Sequence, residues 1–161
     1  MDGDADVAAD ADGGEPGAGA DGEALVETLH ATGHENVTGE HASTLEVTSD
    51  DWLTPAGDCI LAVEADRVPA DFDDEFLAAC QSREATITLT IETDGHTERV
   101  AGRGHPDFSF ENERSLVCRT SDYVDDRTVM VDADGAATDA DRDLVAALAD
   151  GTDATVRLRV E

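Results

Sequence analysis

Thr86-Ile87-Thr88-Leu89-Thr90-Ile91-Glu92-Thr93-Asp94-Gly95-His96 is the stretch on which the fold turns. Its first six residues alternate polar and apolar without interruption, the period of a strand that buries one face. Asp94-Gly95 then supplies a tight-turn dipeptide, the strongest short-range hairpin signal. A strand over residues 85–92 therefore pairs back-to-front with the segment beyond Gly95, and from that point the second half of the chain repeats the first.

Working outward, Thr32-Gly33-His34 answers Arg103-Gly104-His105 at an offset of 71. At the same offset Glu27 meets Glu98, Leu45 meets Leu116, Asp51 meets Asp122 and Trp52 meets Tyr123. Beyond Pro55 the offset becomes 68, pairing Glu64-Ala65-Asp66 with Asp132-Ala133-Asp134 and Asp71 with Asp139. The segments 85–92 and 154–161 align at 69. Each half reads as strands near 26–31, 41–48 and 59–63 in the first and 97–101, 114–120 and 128–131 in the second. A helix of about three turns starts from Asp71 or Asp139, where an Asp can cap its N-terminus, and a last strand closes the unit.

The expected class is α+β and β-rich: two strand-strand-strand-helix-strand repeats, residues 25–94 and 95–161, in one pseudo-twofold domain. Each half is small for an independent core. Eight strands would normally curl or close, so a closed or partly open β-barrel with two flanking helices is expected. Residues 1–24 are acidic, rich in Gly and Ala, and bring almost nothing to bury, which reads as a disordered tail.

The 161 residues carry 39 Asp and Glu against ten basic residues, a formal charge of −29. All ten are Arg, and residues 25–161 alone carry a net −21. Self-repulsion of this size is relieved by screening in molar salt. The Asp-rich, Lys-free composition resembles that of proteins from salt-in halophilic archaea. It makes a poor nucleic-acid binder by charge alone, although solvent adaptation weakens that argument. No apolar run approaches the ~18 residues of a spanning helix, so no membrane partner is expected. The N-terminus lacks the basic and apolar regions of a secretory signal. Three well-separated cysteines, Cys59, Cys80 and Cys118, do not suggest a disulfide framework, and a cytoplasmic setting is expected.

The series Gly33-His34, His41-Ala42-Ser43-Thr44-Leu45-Glu46-Val47-Thr48, Leu53 to Ile60 and Ala65-Asp66 is distinctive. With Arg103-Gly104-His105-Pro106 and Ser121-Asp122 it resembles an archaeal family catalogued as domain of unknown function family 371, over about residues 26–161. The resemblance implies an archaeal cytoplasmic protein and no particular reaction. A weaker likeness is to duplicated cradle-loop barrels, in which a Gly-Asp turn such as Gly57-Asp58 introduces a strand. A glycine there is free to take φ > 0, and the Asp carboxylate can accept backbone N–H groups.

Candidate chemistry gathers where the halves would meet. His34, His41, Asp58 and Cys59 would line a composite cleft from one side; His105, Arg119 and Arg127 would line it from the other. His34 and His105 stand beside glycines, where an imidazole can equally cap a turn. Cys59 is either a nucleophile with His34 or His41 as base, or an apolar core thiol. Arg103, Arg114, Arg119 and Arg127 suit an anionic small ligand, or else neutralise surplus acids. No short ligand spacing for a metal, no phosphate-loop motif and no cofactor motif occurs. The reading is a binding or accessory module; the alternative is a small enzyme acting on an anionic substrate. Contact with nucleic acid would require the Arg residues on one face.

Overall fold

The computed structural model describes residues 24–161. The acidic segment expected over 1–24 lies, apart from Ala24, outside the described residues. Among the described residues eight strands are formed: β1 (Leu25–Thr32), β2 (Thr44–Thr48), β3 (Ile60–Ala62), β4 (Thr86–Thr93), β5 (His96–Arg103), β6 (Ser115–Arg119), β7 (Thr128–Met130) and β8 (Asp153–Val160). Two helices, α1 (Asp74–Cys80) and α2 (Arg142–Ala149), precede β4 and β8. The chain is thus α+β and β-rich. The order strand, strand, strand, helix, strand runs from β1 to β4 and again from β5 to β8.

The Asp-Gly hairpin forms as expected. Asp94 and Gly95 both adopt positive φ (49° and 81°), and β4 pairs with β5 from Thr86↔Arg103 to Thr93↔His96. Positive φ at both central positions matches the right-handed twist of the flanking strands. The alternation in β4 sends Ile87, Leu89 and Ile91 into the core and Thr86, Thr88 and Thr90 to the other face.

The strands make two four-stranded sheets, β1-β8-β4-β5 and β3-β2-β6-β7. Among the described residues the strands do not close into a barrel. The sheets meet at single bridges, Thr32↔Val63 at one corner and Arg103↔Val131 at the other. The cause is the length of β3 and β7: with three residues each, they leave too little backbone for a continuous ladder across a corner. The two 3₁₀ turns, Pro69–Asp71 and Ala137–Asp139, displace the helix starts by three residues. Asp71 and Asp139 accept the N–H of Val68 and Ala136 at 3.0 and 2.9 Å, so they close the 3₁₀ turns and do not cap the helices. Each helix spans about two turns, not three.

Side chains from both sheets and both helices pack into one apolar cluster, including Leu29, Leu45, Phe76, Leu116, Leu144 and Leu158. Four Phe rings supply its aromatic part; Phe72 meets Phe76 and Phe110 edge-on at 5.7 and 5.8 Å. Parallel contacts tie each half together. Glu27 accepts the N–H of Asp73 and Glu98 that of Asp141, both at 2.8 Å. Asp66 accepts the N–H of His30 at 2.8 Å, and Asp134 that of Ala101 at 2.9 Å. Gly33 and Gly104 are required by close approach. A Cβ at Gly33 would stand 1.9 Å from the carbonyl oxygen of Leu148, and one at Gly104 would stand 2.1 Å from that of Cys80. Among the described residues, no helix is long and apolar enough to cross a membrane.

Candidate functional site

Period-two geometry places alternate residues of β2 on opposite faces of its sheet. Leu45 and Val47 enter the core, leaving Glu46 on the outer face. β2 pairs antiparallel with β6, setting Thr44 opposite Arg119 and Glu46 opposite Val117. On the flanks, β3 runs parallel to β2 with Ile60 beside Glu46, and β7 runs parallel to β6 with Thr128 beside Val117. Cys59 and Arg127 are the residues just ahead of β3 and β7. The β2–β6 seam therefore carries Glu46 and Cys59 of the first half against Asp125, Arg119 and Arg127 of the second.

These groups form one continuous polar network. Asp125 receives Arg119 at 3.0 Å and Arg127 at 3.1 Å, and its other oxygen accepts the Thr128 hydroxyl at 3.0 Å. Arg119 also donates through Nε to Thr128 at 2.9 Å, and its guanidinium lies over the Tyr123 ring at 4.9 Å. Arg127 extends Nη1 to within 3.9 Å of Glu46, whose Oε1 accepts the Cys59 thiol at 3.4 Å. Side-chain exposure falls to 11% for Arg119 and 12% for Glu46, whereas Arg127 keeps 39%. Arg127 is the guanidinium left open to solvent.

The electrostatics reflect these contacts. Burial works to raise the Asp125 pKa, but the Arg127 amide, the Thr128 hydroxyl and the two guanidinium groups outweigh it and hold it at about 2. Burial also opposes the charge on Arg127, yet the Asp125 hydrogen bond and charge raise its pKa. Cys59 moves the other way. Burial first, then the charge and hydrogen bond of Glu46, push its thiol up to about 11. A thiol donating to a carboxylate is a poor nucleophile, because thiolate is the reactive form.

The histidines serve turns. His34 Nδ1 accepts the Asn36 N–H at 3.0 Å, and His105 Nδ1 accepts the Asp107 N–H at 3.0 Å. His41 Nδ1 accepts the N–H groups of Ser43 and Thr44 at 3.3 and 3.2 Å and lies 3.1 Å from the Thr44 hydroxyl. Among the described residues, no side-chain hydrogen bond or ion pair joins His34 or His105 to the seam network. Asp58 contributes its backbone: the carbonyl accepts the N–H groups of Glu40 and His41 at 3.1 and 3.2 Å. Gly57 does not take positive φ; a Cβ there would come within 2.9 Å of Leu53 Cδ1, the tip of a side chain that can turn aside.

Cys80 and Cys118 are buried core thiols, each with its pKa raised by burial to about 12. Of the Arg residues grouped in the second half of the sequence, Arg114 pairs with Asp50 at 2.8 Å, while Arg103 lies on the other sheet. Among the described residues no group of three or more His, Cys, Asp or Glu is placed to hold a metal ion.

The seam thus brings together Cys59, Arg119 and Arg127; His41 contacts Thr44 of β2, and Asp58 holds the backbone of the His41 loop through its carbonyl. Glu46, Asp125 and Tyr123 are the members that sequence reasoning passed over. For Glu46 a signal exists, a charged residue at the centre of an otherwise apolar and Thr-bearing strand. Asp125 carries no such mark among 39 acids.

Residues 29–161 match the family described as a domain of unknown function, DUF371. The chain belongs to the DUF371 family. An uncharacterized protein of Methanocaldococcus jannaschii is 35% identical over 132 residues, 82% of this chain and 97% of that protein. The DUF371 match contains the whole seam network and leaves out only the N-terminal segment and the first residues of β1.

Proposed function

We propose that this protein is a non-catalytic binding module whose small anionic ligand is held at the β2–β6 seam, against Arg127. The observation that carries the reading is the interlocking of Glu46 and Cys59 with Asp125, Arg119 and Arg127 across strands from the two halves of the chain. Arg127 presents a partly open guanidinium, already oriented by Asp125, so little side-chain entropy is lost when an anion binds. Tyr123, 60% exposed and stacked on Arg119, offers a neighbouring flat surface to a ring-bearing anion.

Binding is favoured over catalysis by what the polar groups are doing. The thiol is protonated against a carboxylate, and the imidazole acceptors of His34, His41 and His105 are used by backbone amides.

Residues 25–161 are read as one domain made of two related units, 25–94 and 95–161. The repeated element order, the shared apolar cluster and the paired Glu27/Glu98 and Asp66/Asp134 contacts support this. Free thiols and the −29 charge support a reducing, high-salt archaeal cytoplasm as its setting.

The test is calorimetric titration with inorganic phosphate, a nucleoside monophosphate and benzoate. Saturable binding by at least one of them, weakened about tenfold or more by Arg127→Ala, is the expected result. Absence of binding by all three, or binding indifferent to Arg127→Ala, overturns it.

A further inference from the structure

The outer face of the β1-β8-β4-β5 sheet is exposed or half-buried along all four strands, and three adjacent rows of it gather four Arg with Glu161, while Glu92 and Asp153 stand beyond them. The register sets Thr28, Arg157, Thr90 and Arg99 in one row across the four strands, and Val26, Arg159, Thr88 and Ala101 in the next. Arg103 stands opposite Thr86 one row further on. Four of the ten basic residues of a chain with 39 acids are gathered here. Arg157 and Arg159 are paired to Glu92 at 2.9 Å and to Glu161 at 2.7 Å, in contacts about half exposed. Such solvent-facing pairs are weak and exchange readily. Arg99 and Arg103 have no carboxylate within ion-pair distance among the described residues, and both are exposed.

We infer that this face binds the phosphodiester backbone of a single-stranded nucleic acid without reading its sequence. Charge complementarity and spacing argue for that occupant. Arg157 and Arg159 are two residues apart on one strand, roughly 7 Å, and Arg99 lies two strand spacings from Arg157, roughly 10 Å. Guanidinium groups at these intervals, interleaved with threonine hydroxyls, suit a flexible chain carrying one charge per link.

An acidic protein partner fits less well. Protein interfaces draw their energy from buried apolar and aromatic anchors. This face exposes one large apolar residue, Val26, while Trp52 and Tyr123 belong to the loops after β2 and β6 of the other sheet. Backbone contacts need no such anchor, and the lack of an aromatic platform is why no base preference is expected. The polymer would lie away from the β4–β5 turn, where Glu92, Asp94 and Asp153 line an acidic depression. The inference is independent of the anion site proposed at the β2–β6 seam.

The experiment is fluorescence anisotropy of a labelled oligouridine of about 15 nucleotides, titrated with the full chain between about 0.2 and about 2 M KCl. Saturable binding is expected, with log affinity falling against log salt at a slope of roughly −3 for four phosphate contacts. Arg99→Ala/Arg103→Ala and Arg157→Ala/Arg159→Ala should each halve that slope and weaken binding about tenfold or more. The corresponding Lys variants should retain most of it. Far-UV circular dichroism and the urea midpoint establish that every variant is folded. No saturable binding, binding unchanged when all four Arg are replaced, or equally strong displacement by polyglutamate would overturn the inference; the last would mark an acidic-protein surface instead.

Discussion

His41 and Asn112 hold the same place ahead of paired strands β2 and β6, and they do the same work with different atoms. The ring Nδ1 of His41 accepts the N–H groups of Ser43 and Thr44; the amide Oδ1 of Asn112 accepts those of Arg114 and Ser115 at 2.9 and 2.7 Å. The imidazole Nδ1 is a turn acceptor here.

His41→Asn should therefore be tolerated, changing the urea unfolding free energy by less than about 0.5 kcal/mol. His41→Ala leaves two amides unpaired and should cost about 1 kcal/mol. A loss of equal size in both variants would contradict the acceptor role.

Asp125 should make stability fall on acidification. Its pKa is held at about 2 in the folded protein, below the ordinary 3.8, so its stabilisation is complete above the unfolded value. It fades as pH drops from about 4 towards 2. The expected size is about 1 kcal/mol, since solvent reaches part of the carboxylate. Urea titrations over that window should show the wild type losing its advantage over Asp125→Asn.

Cys59 should alkylate slowly with iodoacetamide at pH 8.5, because a thiol with a pKa of about 11 is mostly protonated there. Glu46→Gln removes the negative charge and should speed modification of Cys59 several-fold, while buried Cys80 and Cys118 stay protected in the native protein. Peptide mapping of the alkylated sites reads this directly.

The glycines separate two kinds of constraint. Gly33→Ala and Gly104→Ala drive a methyl into a backbone carbonyl and should each cost about 2 kcal/mol or more. Gly95→Ala meets open space and suffers only from its φ of +81°, about 1 kcal/mol. Thermal unfolding of the three variants should give that order.

Raising KCl from about 0.1 to about 2 M should raise Tm markedly, because a −29 chain repels itself and the Debye length falls to a few Å. A Tm indifferent to salt would show that internal pairing already neutralises the repulsion.

Local pattern sufficed for much of this fold. Alternation in residues 86–91 and the Asp94-Gly95 dipeptide determined a strand and its turn, since both depend on neighbours a few positions apart. Matching residues at offsets of 68 to 71 anticipated that one order of elements would occur twice. Charge and composition, likewise, are properties of the chain itself.

Pairing was decided only in three dimensions. The antiparallel register of β2 with β6 puts Glu46 and Cys59 against Asp125, Arg119 and Arg127, and nothing within either strand names its partner. Arg119 could have been assigned to any of 39 acids, and only distance selects Asp125. The same holds for the barrel. Periodicity says which face a strand buries, whereas three-residue β3 and β7 decide that the sheets touch at two corners and stay apart. A side chain's direction is local information, but the group it meets is set by the path of the whole chain.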